Sequence, residues 1–483
     1  MSKHRINCNI IVQYVLYQQF LVYRDSNKLA TRSGKSRQMR LKRKSRIKGR
    51  PRRYISVQKK FYFSHFLALV WMIASIVLSI PWVRDLGLLF TLPVALFIVI
   101  GISYIPGYMN AFMISSLLFD RQPKVKDLNP AEPITILVAC YNEEAGVGDT
   151  LRYIATQDYQ GDIHVIVIDN NSSDRTAAVA EETGESLGLS LRVIHESKPG
   201  KNHALNSALS HVHTELMITL DADTLLHKSA IRYLVARYVS SPSDVCAVAG
   251  AVLVRNSRGK FLARIQEWDY FLGIASIKRL QGLFQGTLVA QGAFSLYRTE
   301  SVIEVEGWPD AIGEDIVLTW RFLGRGWKVY FEPLAVAFTD VPENLHHFFR
   351  QRSRWARGMI EALKVVKPWQ QPSPYTRYLT FCNLFMPYLD VVYTLVWLPG
   401  LILAFCGYYW IVGIATLLVL PLTFCVNFIL YVYQRRVFKR LDLRIRQNAL
   451  GFFAYVLLYQ VIMSPVSVWG YMQEAFKLNR VWK

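Results

Sequence analysis

An α/β sheet domain set between membrane-spanning helices is the architecture predicted by this 483-residue sequence, and three observations predict it. Two uncharged apolar runs stand close together at residues 61–80 and 86–109, and further ones follow beyond residue 384. From Glu132, short β-branched apolar runs alternate with longer amphipathic stretches, the pattern of βαβ units around a parallel sheet. The charge is uneven: of a formal net charge of +21, residues 1–60 hold 18 Lys/Arg against one acid, Asp25, which leaves +4 for the rest of the chain. With 52% hydrophobic and 13% aromatic residues, collagenous and mostly unfolded classes are excluded.

Residues 1–60 read as a basic, disordered juxtamembrane tail. Its Arg/Lys-rich part, 32–60, lacks interleaved aromatics and adjoins a span, where each basic residue attracts anionic lipid with about 1 kcal/mol, so membrane lipids are expected as partners and nucleic acid is not. Residues 8–23 are apolar but interrupted by Gln13, Gln18 and Gln19, too short and too polar to assign as a span. No short apolar core with a cleavage site lies just behind Met1, so no removable signal peptide is expected. Six dispersed cysteines without a CxxC fit a reducing compartment.

Residues 61–109 form the expected transmembrane hairpin, each run long enough to cover the roughly 30 Å hydrocarbon core. The polar break Pro81-Trp82-Val83-Arg84-Asp85 is the expected turn. Basic clusters before it (Arg52, Arg53, Lys59, Lys60) and after it (Arg121, Lys124, Lys126) place the middle of the chain in the cytoplasm. A C-terminal membrane region, 376–475, holds apolar stretches at 384–406, 408–433 and 449–472, with a basic loop Arg435–Arg446. Five spans would leave Lys477, Arg480 and Lys483 outside, against the charge bias, so one C-terminal stretch is expected to be interfacial or re-entrant. Asp390, a costly intramembrane carboxylate, calls for a polar cavity, a partner or an interface.

Residues 130–345 form the expected soluble domain. Strands are predicted at Ile134–Ala139, Ile163–Ile168, Arg192–His195, Leu216–Leu220 and Val245–Val252, with helices at Val147–Gln157, Arg175–Gly188, Lys201–Val212 and Ser229–Val239. Such an open doubly wound sheet binds ligands beyond the carboxyl ends of its strands. What stands there is polar: Tyr141-Asn142-Glu143-Glu144, the run Asp169–Asp174, Lys198-Pro199-Gly200-Lys201 and Asp221-Ala222-Asp223. Asp-x-Asp on an extended backbone sets two carboxylates to one side, a holder for a hard divalent ion shared with phosphate, although an isolated pair serves equally to end a strand. Neither GxxxxGK[ST] nor GxGxxG follows the first strand, which removes support for ATPase and NAD readings. Glu314-Asp315 opens the helical pattern Ile316–Leu323, where an acid also suits the helix dipole. An interfacial segment, 346–375, carries Gln351-Arg352-Ser353-Arg354-Trp355, in which Arg can clamp phosphate and Trp can face a sugar, or both can pack beneath the membrane belt.

In this order, between membrane hairpins, the Asp169 region, Asp221-x-Asp223, Glu314-Asp315 and Gln351-x-x-Arg354-Trp355 resemble the membrane-embedded processive family 2 β-glycosyltransferases. These are the cellulose, chitin and hyaluronan synthases, and the chain looks closest to the poly-β-1,6-N-acetylglucosamine synthases. Gly200–Asn206 and Tyr330-Phe331-Glu332-Pro333 add to the likeness. The resemblance implies a Rossmann-like glycosyltransferase A domain in the cytoplasm, inserted in a polytopic α-helical protein of the cell membrane. It implies a UDP-sugar donor, foremost UDP-N-acetylglucosamine, and a Mg²⁺ or Mn²⁺ cofactor on Asp223 with Asp221. Donor contacts fall to Tyr141, Glu143, Asp169, Lys201 and Asp221. Asp315, with Glu314, becomes the catalytic pair, Asp315 as general base. Gln351, Arg354 and Trp355 hold acceptor and diphosphate, with Trp308 as a further sugar platform. The expected acceptor is the growing polysaccharide, carried across by the membrane helices, and an accessory membrane subunit is an expected partner.

This sequence departs from the family where Asn170 and Asn171 replace the second acid and a Gly, and where Gly313 replaces a frequent Thr. Other readings are a one-sugar transferase of the ceramide glucosyltransferase type with a lipid acceptor, a synthase using a different UDP-sugar, and a catalytically silent scaffold or transporter. Intact Asp221, Asp223, Asp315 and Arg354 argue against the last.

Overall fold

The computed structural model describes residues 55–483 apart from 121–122, 414–418, 446 and 479–483. The basic tail up to residue 54, the 8–23 segment, Arg121, Arg446, Arg480 and Lys483 lie outside the described residues. Among those described, four helices are long and apolar enough to cross a membrane: Val57–Leu89, Leu92–Leu118, Pro374–Phe405 and Ala449–Ala475. The Ser56 hydroxyl accepts the Lys59 N–H and starts the first of them.

One expectation for the apolar segments is corrected. Helix Val57–Leu89 runs through Pro81 and Arg84-Asp85, so the hairpin turns at Phe90-Thr91. The next helix opens with proline in its first turn, where a missing N–H costs nothing, and this is where the chain reverses. Of the stretch at 408–433, residues 414–418 lie outside those described; the rest leads into helix Val419–Arg440, which is not among the four apolar helices, in keeping with the expectation that one C-terminal stretch does not span. Its buried Val426, Leu430 and Val437 instead pack with Trp268, Phe271 and Phe331 of the α/β domain, and the Gln434 amide donates to the Phe271 carbonyl (2.8 Å). Asp390 finds partners in a neighbouring helix, accepting from the Ser464 hydroxyl (2.6 Å) and the Tyr471 hydroxyl (2.8 Å).

The α/β domain is built on one eight-stranded sheet. Its strands are β1 (Ile134–Cys140), β2 (Ile163–Asp169), β3 (Ser190–His195), β4 (Leu216–Asp221), β5 (Leu225–Leu226), β6 (Val245–Val254), β7 (Phe294–Arg298) and β8 (Lys328–Thr339), in the order β3-β2-β1-β4-β7-β6-β8-β5. The five predicted strands are all present. The first four in the order are parallel, as the alternating pattern requires. The sheet as a whole is mixed, not purely parallel, because β7 runs antiparallel to both β4 and β6. After β6 the chain forms the helical stretch Phe261–Leu283 and descends into β7 from the carboxyl-end side. Residues 285–287 do reach the amino end, bonding Val329 at the start of β8, but by Gly292 the chain is back at the carboxyl edge beside Lys201, so β7 starts there and runs antiparallel.

The predicted helices appear as Val147–Ala155, Thr176–Leu187, Lys201–Leu209 and Ala230–Val239. Strand β8 carries the Tyr330–Pro333 segment. Its register with β6 slips between Ala249 and Ala251, beside Pro333, as expected where a ladder N–H is missing. Glu332 is buried there in an ion pair with Arg237 (2.7 Å). Register fixes the site: Ala139 lies opposite Asp221, Cys140 opposite Asp169, and Asp169 opposite His195. Three strands therefore deliver polar side chains to one edge.

Candidate active site

The loops after β1 and β2 are laced together. The Asn142 N–H donates to the Ser172 hydroxyl (3.0 Å) and the Asn142 side-chain Oδ1 accepts the Ser173 N–H (2.8 Å), while the Glu143 N–H donates to the Thr176 hydroxyl (2.8 Å). Tyr141 is 41% exposed at the mouth of the crevice. The Glu143 carboxylate lies against Gly146, which itself abuts the Ala222 carbonyl and the Asp223 backbone, so Glu143 belongs to the Asp-x-Asp end of the site. Asp169 is buried, accepting the Ser172 N–H (3.3 Å) and facing His195 Nδ1 (3.0 Å).

The two asparagines that depart from the family pattern acquire structural roles. The Asn170 amide donates to the carbonyls of Glu196 (3.1 Å) and Lys198 (2.7 Å), and its oxygen accepts the Gly200 N–H (2.8 Å). An acid could make only the last of these bonds. Asn171 has φ +60, the left-handed backbone a glycine would adopt, and Asn is a side chain that tolerates it.

Gly200 precedes helix Lys201–Leu209, which directs the Lys201 ammonium onto Asp221 in an ion pair. Burial opposes the Lys201 charge, but the carboxylates of Asp221, Glu314 and Asp315 hold its pKa above the usual lysine value. Two residues on, Asp223 accepts from the Thr224 and Thr339 hydroxyls (3.2 Å each), and burial together with the charge of Asp221 raises its pKa. These carboxylates repel each other and so favour a cation.

Helix Glu314–Gly324 brings in the second pair of acids at its first turn. Ahead of it, the Ile312 N–H donates to the buried Glu361 carboxylate (2.6 Å), which fixes the approach to Asp315. Asp315 accepts the Gly292 N–H (3.4 Å), and a Cβ on Gly292 would lie 2.8 Å from Lys201 Nζ, so Lys201, Asp221, Gly292 and Asp315 form one cluster. Buried Glu314 is pushed up to about 7 by burial and by Asp315, with Lys201 and Arg354 pulling the other way. Helix Leu345–Val365 supplies Arg354 to that field, while Trp355 stands 42% exposed. The Gln351 side-chain oxygen is buried without a hydrogen-bond partner.

Trp308 does not join these residues. It is buried edge-on against Tyr297, with its backbone held by Asn206, so its faces are closed to a sugar. Sequence reasoning missed Gly292, whose Gln-Gly-Ala setting before the alternating strand Phe294–Arg298 was the available signal. It also missed Lys278, buried and bonded to the Val289 carbonyl (3.0 Å) and to Gln291, with burial lowering its pKa to about 7. Nothing in a sequence separates such a lysine from a surface one.

Residues 130–358 match the family described as glycosyltransferase-like family 2. The chain is 33% identical over 245 residues to the poly-beta-1,6-N-acetyl-D-glucosamine synthase of Staphylococcus aureus (strain COL), covering 50% of this chain and 58% of that protein. It is 32% identical over 268 residues to the synthase of that name from Staphylococcus epidermidis, covering 55% of this chain and 64% of the other. The chain thus spans less than two thirds of the length of these curated relatives. Among solved structures it is similar to the mannosyltransferase PcManGT of Pyrobaculum calidifontis, in complex with GDP-Man and Mn²⁺, with a TM-score of 0.54 at 18% identity over 79% of this chain and 98% of that one. That likeness shows a glycosyltransferase A-type fold. On the matching family and the relatives at about a third identity, residues 130–358 of this chain are a glycosyltransferase family 2 domain.

Proposed function

We propose that the protein is an inverting, processive glycosyltransferase of the cell membrane that uses UDP-N-acetylglucosamine to build a β-linked polysaccharide and passes it across the bilayer. One observation carries the reading: Asp221, Lys201, Gly292 and Asp315 meet at the carboxyl edge of the sheet, with Asp223 beside them. The N-acetylglucosamine follows the name of the relatives in staphylococci.

Asp315 takes the proton of an acceptor hydroxyl as that oxygen bonds to the anomeric carbon. The bond from that carbon to the UDP oxygen breaks, and UDP departs with the electron pair, which inverts the configuration. General base catalysis of this kind is worth about 10²- to 10⁴-fold. Lys201 and Arg354 face the charge that grows on the diphosphate. Tyr141, Glu143 and Asp169 line the donor side, while Gln351 and Trp355 receive the acceptor.

Asp221 and Asp223 offer two carboxylates. Mg²⁺ and Mn²⁺ are commonly held by one or two carboxylates when substrate phosphate and water complete the shell. Among the described residues no group of three or more His, Cys, Asp or Glu stands ready to hold an ion unaided. This donor set fits an ion that binds with its diphosphate, as Mn²⁺ accompanies GDP-Man in PcManGT. When bound, it would neutralise charge on the leaving group.

Among the described residues two apolar helices precede the α/β domain and two follow it, which with the basic flanks supports a cytoplasmic catalytic domain. The test is mass spectrometry of products from membranes given UDP-N-acetylglucosamine or UDP-glucose with Mg²⁺ or Mn²⁺, with Asp315→Asn as control. A ladder of one repeating sugar mass, lost in the variant, is expected. A single sugar on a lipid would overturn processivity and point to a lipid glycosyltransferase.

A further inference from the structure

A buried polar node lies behind the Trp355 ring, contributed by three elements distant in sequence. Arg352, 2% exposed, pairs with Asp269 (3.1 Å). The same Asp269 oxygen accepts the hydroxyl of Tyr459 (2.6 Å), from the last apolar helix. Asp269 opens a one-turn π-helix, Asp269–Ile274, a deviation that recurs at functional sites. In that turn Gly273 leaves room where a Cβ would strike the Tyr455 hydroxyl and press on Asp269. The Arg352 guanidinium lies 4.1 Å from the centre of the Trp355 ring, and Tyr270 borders both. One ring face thus rests on a cation, a contact that orients an aromatic.

We infer that Asp269 and Tyr459 are positioning residues for the acceptor: they lock Arg352, Arg352 holds the Trp355 ring, and the last apolar helix thereby sets the face offered to the acceptor sugar. This rests on the reading of Trp355 as an acceptor platform. Arg352 lies inside the Gln-x-x-Arg-Trp motif at a position the motif leaves open, and here it bridges the motif to the membrane helix. The donor edge has no part in the chain Tyr459–Asp269–Arg352–Trp355.

The experiment measures sugar transfer from UDP-N-acetylglucosamine to short N-acetylglucosamine oligosaccharides in membranes, for the wild type, Tyr459→Phe, Trp355→Ala and the double variant. Tyr459→Phe removes one hydroxyl and no bulk. It is expected to raise the acceptor KM by about tenfold, the loss of one hydrogen bond to a charged group, with donor KM and kcat within about twofold. In the Trp355→Ala background it should add nothing, because the ring it positions is gone. An unchanged acceptor KM would overturn the inference, as would a full effect persisting without Trp355. Arg352→Lys, which keeps the charge and loses the planar stack, should copy Tyr459→Phe, and wild-type behaviour of that variant would overturn the stacking step. Failure of the wild type itself to transfer would instead overturn the underlying function, and the inference with it.

Discussion

On the proposed function the crevice has a donor edge and an acceptor wall, and the two are made in different ways. At the donor edge, neighbouring strand ends and the loops between them bond to one another: Asn142 with Ser172 and Ser173, Asn170 with Glu196, Lys198 and Gly200. The acceptor wall joins remote segments. Glu361 holds the backbone of Ile312, and Tyr459 reaches Asp269 across 190 residues of sequence. Forming the parallel half of the sheet assembles the donor edge automatically, since register alone aligns Asp169, Asp221 and His195. The acceptor wall exists only when the motif helix and the last apolar helix are both seated. The two sides should therefore fail separately.

The largest expected effect tests that separation directly. Asp315→Asn should lower transfer by about 10²- to 10⁴-fold, while the donor KM stays within about threefold, because the amide can still accept the Gly292 N–H and Lys201 keeps Asp221. Steady-state kinetics with varied UDP-sugar would check it. A tenfold change in donor KM would show the two sides to be one unit.

This difference also explains what the sequence revealed. The five strands from Ile134 to Val254 and the acids at their ends were legible because each strand is a short β-branched run followed by its own polar loop. Strand β7 was not, since five residues, FSLYR, give too little period to separate a strand from a helix, and its direction depends on where the preceding segment leaves the chain. Which C-terminal stretch fails to span was not legible, because apolar residues such as those of Val419–Arg440 that pack on a soluble domain look like those that face lipid; only the charge bias indicated that one of them does not cross. Asp315 and Trp355 were found by motif. Gly292, Asp269 and Tyr459 were not, because their roles arise from tertiary proximity alone.

Glu314 feels the charges of both Lys201 and Arg354. Its folded pKa, pushed up to about 7 by burial and Asp315, exceeds its ordinary 4.5. Between those values the folded protein binds more protons than the unfolded one, so stability is lost as pH rises from about 4.5 to 7. Glu314→Gln removes that loss. The variant should match the wild type below pH 4 and exceed it by about 3 kcal/mol at pH 8, read from thermal unfolding in detergent. Parallel curves for the two proteins would mean that these two cations compensate Glu314 fully.

Asn170→Ala probes the donor edge alone. It breaks three hydrogen bonds to the loop before Lys201 and should cost about 2 kcal/mol, with a raised donor KM and an unaltered acceptor KM. Asn170→Asp, the residue type common in the family, should be no better, because a carboxylate cannot donate to the Glu196 and Lys198 carbonyls and repels both. A rise in acceptor KM in either variant would break the division between the two sides.

The smallest effect comes from the neighbouring residue. Asn171 is exposed, so its substitution tests backbone conformation with little change in packing. At φ +60 an alanine is strained by about 1 kcal/mol, whereas glycine is not strained at all. Asn171→Ala should lower the unfolding temperature by a few degrees, and Asn171→Gly should leave it nearly unchanged, since the relief of strain is offset by the extra freedom of glycine in the unfolded chain. Equal loss in both would assign Asn171 a side-chain role at the donor edge. The expected asymmetry instead makes it a turn residue, placed where the chain must reverse to bring Asn170 onto the lysine loop.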